Sequence, residues 1–153
     1  HANRVGHGTF LFAHEMIQDP KIEDRKKYVE DLANYLASQR IGVEVCVTSN
    51  LQTIPSLKNI SQHPIRKMLD YGLSVSICTD NRLMSNTTVS RELELVCTGA
   101  KVTRDELKRL TVAGFKGAFF HGSFAEKRKF VDACENRYDY LDRAMLPAPK
   151  PVR

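Results

Sequence analysis

Cysteine is scarce in this 153-residue chain, and its spacing excludes several chemistries at once. Cys46, Cys78, Cys97 and Cys134 never form a C-x-x-C pair, so neither a zinc knuckle nor a dithiol redox motif is written here. Cys46 and Cys78 fall inside apolar runs, as small buried hydrophobes of a reducing compartment do, and the expected location is cytoplasmic. No apolar run approaches the roughly 20 residues of a membrane span, and the opening HANRVGHG has none of the features of a signal peptide. One-sided charge is missing too. The net charge is only +5, and the basic groups (Arg25-Lys26-Lys27, Lys108-Arg109, Lys127-Arg128-Lys129) sit beside acids. That pattern is a solvated helix surface, so neither nucleic acid nor membrane is an expected partner. There are no internal repeats and no low-complexity tract.

What is present is a globular composition, 42% hydrophobic and 27% charged, in a length that supports one core and is short for two domains. Three segments share a design. NRVGHGTFLF is a short apolar piece with His7 between glycines. IGVEVCVTSN reads as a strand (Val43, Val45, Val47) ending in Thr48-Ser49-Asn50, and YGLSVSICTDN as another (Leu73, Val75, Ile77) ending in Thr79-Asp80-Asn81. Strands are expected near 3–7, 43–47 and 73–78.

Helical patterns lie between them. Residues 20–40 begin with Pro20 and early acids and place Tyr28, Leu32, Tyr35 and Leu36 at helical spacing. Residues 63–71 begin near Pro64 and stop at Gly72. Alternation of strand and helix implies a parallel sheet with right-handed crossovers, whose chemistry collects at the C-terminal ends of the strands. Asp80 stands at such an end. Taken alone, Asp80 and Asn81 read first as residues that open a turn or cap the next helix. After residue 86 only helices are expected: 87–98, 103–113 with a Thr103–Glu106 capping box, 114–121 and 123–141, then a proline-rich tail over 142–153. Three strands cannot close a barrel, so residues 1–141 read as part of a larger domain.

RVGHGT (4–9), EVCVTSNLQT (44–53), HPIRKMLDYGLSVSICTDNRLMS (63–85) and TTVSRE (87–92) resemble the C-terminal part of the adenosine deaminases, a metal-dependent group of the amidohydrolase superfamily on the (β/α)8 barrel. The resemblance covers roughly residues 4–130. The ordered trio G-H-G, T-S-N and T-D-N makes it specific.

It implies an α/β fold holding about barrel strands six to eight plus terminal helices, and Zn²⁺ as cofactor. Asp80 would ligate the metal and contact the attacking hydroxide, and His7 would orient and polarise that hydroxide. Asn81 would hydrogen-bond purine N7, while Ser49-Asn50 and His63-Pro64 would serve loop and helix-start architecture. His14 and His121 are expected to be structural or surface residues, as is the His63 side chain, and His1 carries no assignment.

Those residue types suit the chemistry. Zinc lowers the pKa of bound water from 15.7 to about 7, a histidine can support a developing alkoxide, and a carboxylate completes a mixed His/Asp zinc site. Many relatives carry T-D-D, and T-D-N is shared by many bacterial-type members. An amide donates N–H to N7 without having to be protonated first.

The implied reaction is hydrolytic deamination of adenosine or deoxyadenosine to inosine and ammonia in purine salvage. The alternatives are a related 6-aminopurine (AMP, adenine or N6-modified adenosine) on the same barrel, or a non-catalytic helical interaction module. The zinc deaminases built on H-x-E with P-C-x-x-C are excluded, since neither word occurs. The family's H-x-H pair, third zinc histidine and proton-shuttling glutamate have no match either. The expected partner is therefore the N-terminal half of the barrel, and this piece alone should be inactive.

Overall fold

The computed structural model describes residues 3–145. Its first compact unit, His1–Gly117, is built on three strands, β1 (Arg4–Gly6), β2 (Gly42–Val45) and β3 (Ser74–Ile77). They lie in the order β1-β2-β3 and all pair in parallel, with Val5 opposite Val43 and Val43 opposite Val75. The crossovers carry α1 (Arg25–Ser38), α2 (Val47–Thr53) and α3 (Ile65–Asp70). Then follow α4 (Arg82–Ser85), α5 (Val89–Gly99) and α6 (Arg104–Gly117).

The strands form where β-branched residues alternate with small or polar ones. Val43, Val45 and Val75 are buried, while Glu44, Ser74 and Ser76 between them are only half-buried. The valines pack with Ile65 and Met68 of α3, Val96 of α5 and Leu110 of α6 in one core. Each such side chain contributes about 1.5–3 kcal/mol by leaving water.

Several boundaries differ from the sequence reading, each for a local reason. The 20–40 helix begins only at Arg25, because the Asp24 side chain accepts the Lys27 N–H at 2.9 Å and fixes the cap there. Its buried face is Val29, Ala33 and Leu36, and the expected Tyr28 and Tyr35 are exposed. The second strand stops at Val45 instead of reaching 47, and Thr48-Ser49-Asn50 lie in α2. No side chain at the N-cap supports α2; the buried Glu92 carboxylate of α5 does, accepting the Thr48 N–H at 3.0 Å. Thr87 Oγ1 donates to the same carboxylate at 2.7 Å. Cys46 and Cys78 fall just past β2 and β3, not within them.

The capping box of α6 is formed: Thr103 N–H donates to Glu106 Oε2 at 2.8 Å, and Glu106 N–H to Thr103 Oγ1 at 3.3 Å. No separate helix spans 114–121. α6 continues to Gly117, whose carbonyl accepts from Arg4 Nη1 at 3.2 Å. The second unit, Ala118–Arg153, contains α7 (Phe124–Met145), opened by a reciprocal Ser123–Glu126 box. Residues 142–145 of the expected tail are therefore helical, and 146–153 lie outside the described residues. Among the described residues no helix is long and apolar enough to cross a membrane.

Candidate active site

The chain turns sharply just beyond the outer strands. His7, directly after β1, takes φ 59°, and Asp80, three residues after β3, takes φ 53°. A non-glycine residue in the left-handed region costs of order 1 kcal/mol and persists where the surroundings hold it. Gly8 continues the first turn at φ +60°, where a Cβ would also stand 2.8 Å from Val43 Cγ1. Only glycine fits that position.

These turns place His7, Asp80, Ser49 and Asn50 around one open cleft of about 680 Å³. Ser49 and Asn50 arrive from the first turns of α2, so the unexpected helix, and not a strand end, aims them. Ser49 Oγ donates to Asp80 Oδ2 at 2.8 Å, and Oδ1 makes no hydrogen bond among the described residues. Thr9 Oγ1, also on the cleft wall, is buried with no hydrogen-bond partner, a polar atom left for a group these residues do not supply.

Asn50 links two histidines. Its Nδ2 lies 3.0 Å from His7 Nδ1, and its Oδ1 lies 3.1 Å from His63 Nε2. His63 is buried, and His63 Nδ1 accepts the Ile65 N–H at 3.1 Å. Burial pushes its imidazole down to about 4. Asn50 and His63 were expected to serve mainly loop and helix-start architecture; the fold adds side-chain bonds to the site that the words T-S-N and H-P do not spell out. Asn81, next to Asp80 in the chain, is exposed and is not among the residues that line this cleft. Its Oδ1 accepts the Leu83 and Met84 N–H groups, both at 3.1 Å, and caps α4. The capping role open in the sequence is real for Asn81, and it leaves the NH₂ as the group able to donate elsewhere.

Burial pushes the Cys46 thiol up to about 12 and raises that of Cys78, so neither is a thiolate nucleophile. Among the described residues no three His, Cys, Asp or Glu side chains come together as a complete metal site. Asp80, with one oxygen held by Ser49 and the other without a hydrogen bond among the described residues, has the chemistry of a single metal donor.

Known proteins share this arrangement of chain. The adenosine deaminase family model matches residues 1–137. A probable adenosine deaminase of Dictyostelium discoideum is 37% identical over 77% of this chain and 13% of its own length. An adenosine deaminase of Aliivibrio fischeri (strain ATCC 700601 / ES114) is 34% identical over 80% of this chain and 32% of its own length. This chain thus spans about a third or less of these curated relatives. Among solved structures, an amidohydrolase from Burkholderia ambifaria with bound Zn superposes with a TM-score of 0.71 at 24% identity, over 93% of this chain and 35% of that one. The N6-methyl-AMP deaminase from Arabidopsis thaliana does so with a TM-score of 0.62 at 23% identity, over 88% and 34%. The fold is the C-terminal portion of such a (β/α)8 barrel, as the residues implied.

Proposed function

Because the chain belongs to the adenosine deaminase family, we propose that it supplies one wall of the active site for zinc-dependent hydrolytic deamination of adenosine or deoxyadenosine to inosine and ammonia. The observation that carries the reading is the convergence of His7 and the half-satisfied Asp80 on one cleft at the C-terminal ends of parallel strands.

Asp80 would be one of the metal's donors, through the oxygen left free when Ser49 steadies Oδ2. Zinc, when bound, makes hydroxide available near neutral pH. His7 orients the attacking oxygen and supports the charge that develops on it. Asn81, beside Asp80 and outside the cleft wall that these residues form, has its carbonyl fixed by the α4 cap and keeps an NH₂ that would donate to purine N7 in the complete barrel. The remaining metal ligands and the proton-shuttling carboxylate come from the barrel segment outside these residues, so the 153-residue chain alone does not turn over adenosine.

The test uses the complete barrel. Asn81→Leu should lose about 1–3 kcal/mol of transition-state binding with adenosine and little with 7-deazaadenosine. Comparing the two purines separates the N7 contact from the lost helix cap. Equal discrimination by both enzymes would show that the contact is not made. Zinc content decides against a non-catalytic module: a fully folded barrel that takes up no metal would overturn the hydrolase reading.

A second substrate reading has its own support, because an adenine deaminase from Arthrobacter aurescens and the N6-methyl-AMP deaminase share the fold with TM-scores of 0.65 and 0.62. Rates on adenosine, AMP, adenine and N6-methyl-AMP rank the candidates.

A further inference from the structure

The hydrogen bonds behind His7 have a direction, and one end of them is fixed by the backbone. Ile65 opens α3 and is fully buried. Its N–H has only a proton to give, so His63 Nδ1 is an acceptor. Neutral His63 then carries its proton on Nε2 and donates to the Asn50 atom 3.1 Å away, which must be the carbonyl oxygen. The other end of the Asn50 amide is therefore NH₂, and it donates to His7 Nδ1 at 3.0 Å. This assignment does not depend on how an amide is oriented by convention: turning Asn50 over would set its NH₂ against the Nε2–H of His63. Burial keeps His63 neutral through the neutral pH range, which preserves the order.

We infer that Asn50 and His63 are positioning residues that relay the polarity of the Ile65 N–H to His7, fixing its neutral ring as the Nε2–H tautomer. Resting on the role proposed for His7, the consequence is specific. The ring meets the attacking oxygen as a hydrogen-bond donor, and orienting that oxygen requires no proton to move onto His7. The left-handed turn at His7 and the close fit of Gly8 on Val43 hold the ring where Asn50 can reach it.

The test is histidine ¹⁵N NMR on the complete barrel, metal-free and zinc-loaded, with labelled imidazole nitrogens. In the unsubstituted protein, Nδ1 of both His7 and His63 should be pyridine-like and Nε2 of both pyrrole-like. A pyrrole-like Nδ1 on His7 overturns the relay without any variant being made.

Asn50→Asp presents acceptors on both sides, so His7 Nδ1 should become protonated while His63 keeps its pattern. The matching kinetic expectation is a kcat lowered by up to about 10⁴-fold, the size of loss when a catalytic histidine is held in the wrong tautomer, with KM little changed. His63→Phe, which frees the Asn50 amide to turn over, should give a mixture of the two His7 tautomers. An unchanged His7 pattern in both variants would refute the relay. The nitrogen signals report the tautomer whether or not adenosine is turned over, so failure of the relay and failure of the proposed activity are read separately.

Discussion

Glu106 and Asp80 are carboxylates of one compact unit, and the fold uses them in opposite ways. Glu106 is enclosed and fully occupied. Arg66 grips both of its oxygens, Nη2 on Oε1 at 2.5 Å and Nη1 on Oε2 at 3.1 Å, and the Thr103 N–H adds a third bond. The Arg66 guanidinium, with Thr103, draws its carboxyl down to about 2. Asp80 sits exposed on a left-handed backbone with one hydroxyl partner and an open oxygen facing a cleft. A saturated carboxylate has nothing left to offer a ligand and serves stability. An unsaturated one, held on strained backbone, contributes little to folding and keeps its lone pairs available for chemistry.

The sharpest way to break this contrast is to exchange the consequences. Asp80→Gly should cost on the order of 10³-fold in adenosine turnover by the complete barrel. Its unfolding free energy should change by less than about 1 kcal/mol, since glycine relieves the left-handed strain while losing the Ser49 bond and gaining chain entropy. A large loss of stability in denaturant titration would place Asp80 in the same class as Glu106.

His63 gives the next effect. Its folded value of about 4 lies below the ordinary 6.5, so the unfolded chain binds a proton that the native chain refuses. Stability attributable to it is complete above pH 6.5 and falls by about 3 kcal/mol as pH drops to about 4. Stability curves of the parent and His63→Phe should converge across that window.

Glu106 titrates lower. Its contribution is complete above pH 4.5 and is lost as pH falls towards about 2. Arg66 is partly open to solvent, so Glu106→Gln should cost about 1–3 kcal/mol at neutral pH and leave kcat unchanged. Two separate acid steps, one removed by each variant, would confirm that the cleft and helix networks are independent. Smallest is Ser49→Ala, expected to cost about 1 kcal/mol and to weaken zinc binding about tenfold by releasing Asp80 Oδ2. Calorimetry and metal titration check it.

Much of this was readable before any coordinates. The period-two valines at 43, 45 and 75 marked the strands, Gly72 marked a helix end with its φ of +69°, and Thr103 with Glu106 marked a capping box. Each signal is local, carried by residues within a turn of one another. The words G-H-G, T-S-N and T-D-N pointed to a family and to candidate residues. What escaped were features set by distant partners. Val47 and Thr48-Ser49-Asn50 read as the end of a strand until Glu92, far along the chain, supports them as the start of a helix. The Asn50–His63 link to His7 spans 43 residues of sequence at one step, and no spacing rule joins those positions.

By itself, then, the order of residues determined the alternation of strand and helix, the faces that must be buried, and the polar clusters that follow the strands. Those follow from side-chain shape, periodicity and backbone freedom, which act over a few residues. Only the tertiary structure decided that Ser49 would steady Asp80, that Glu106 would be saturated, and that a backbone N–H at Ile65 would be joined through two side chains to His7. Hydrogen bonds are short and directional, so their partners are settled only when packing of the shared core brings remote segments within about 3 Å.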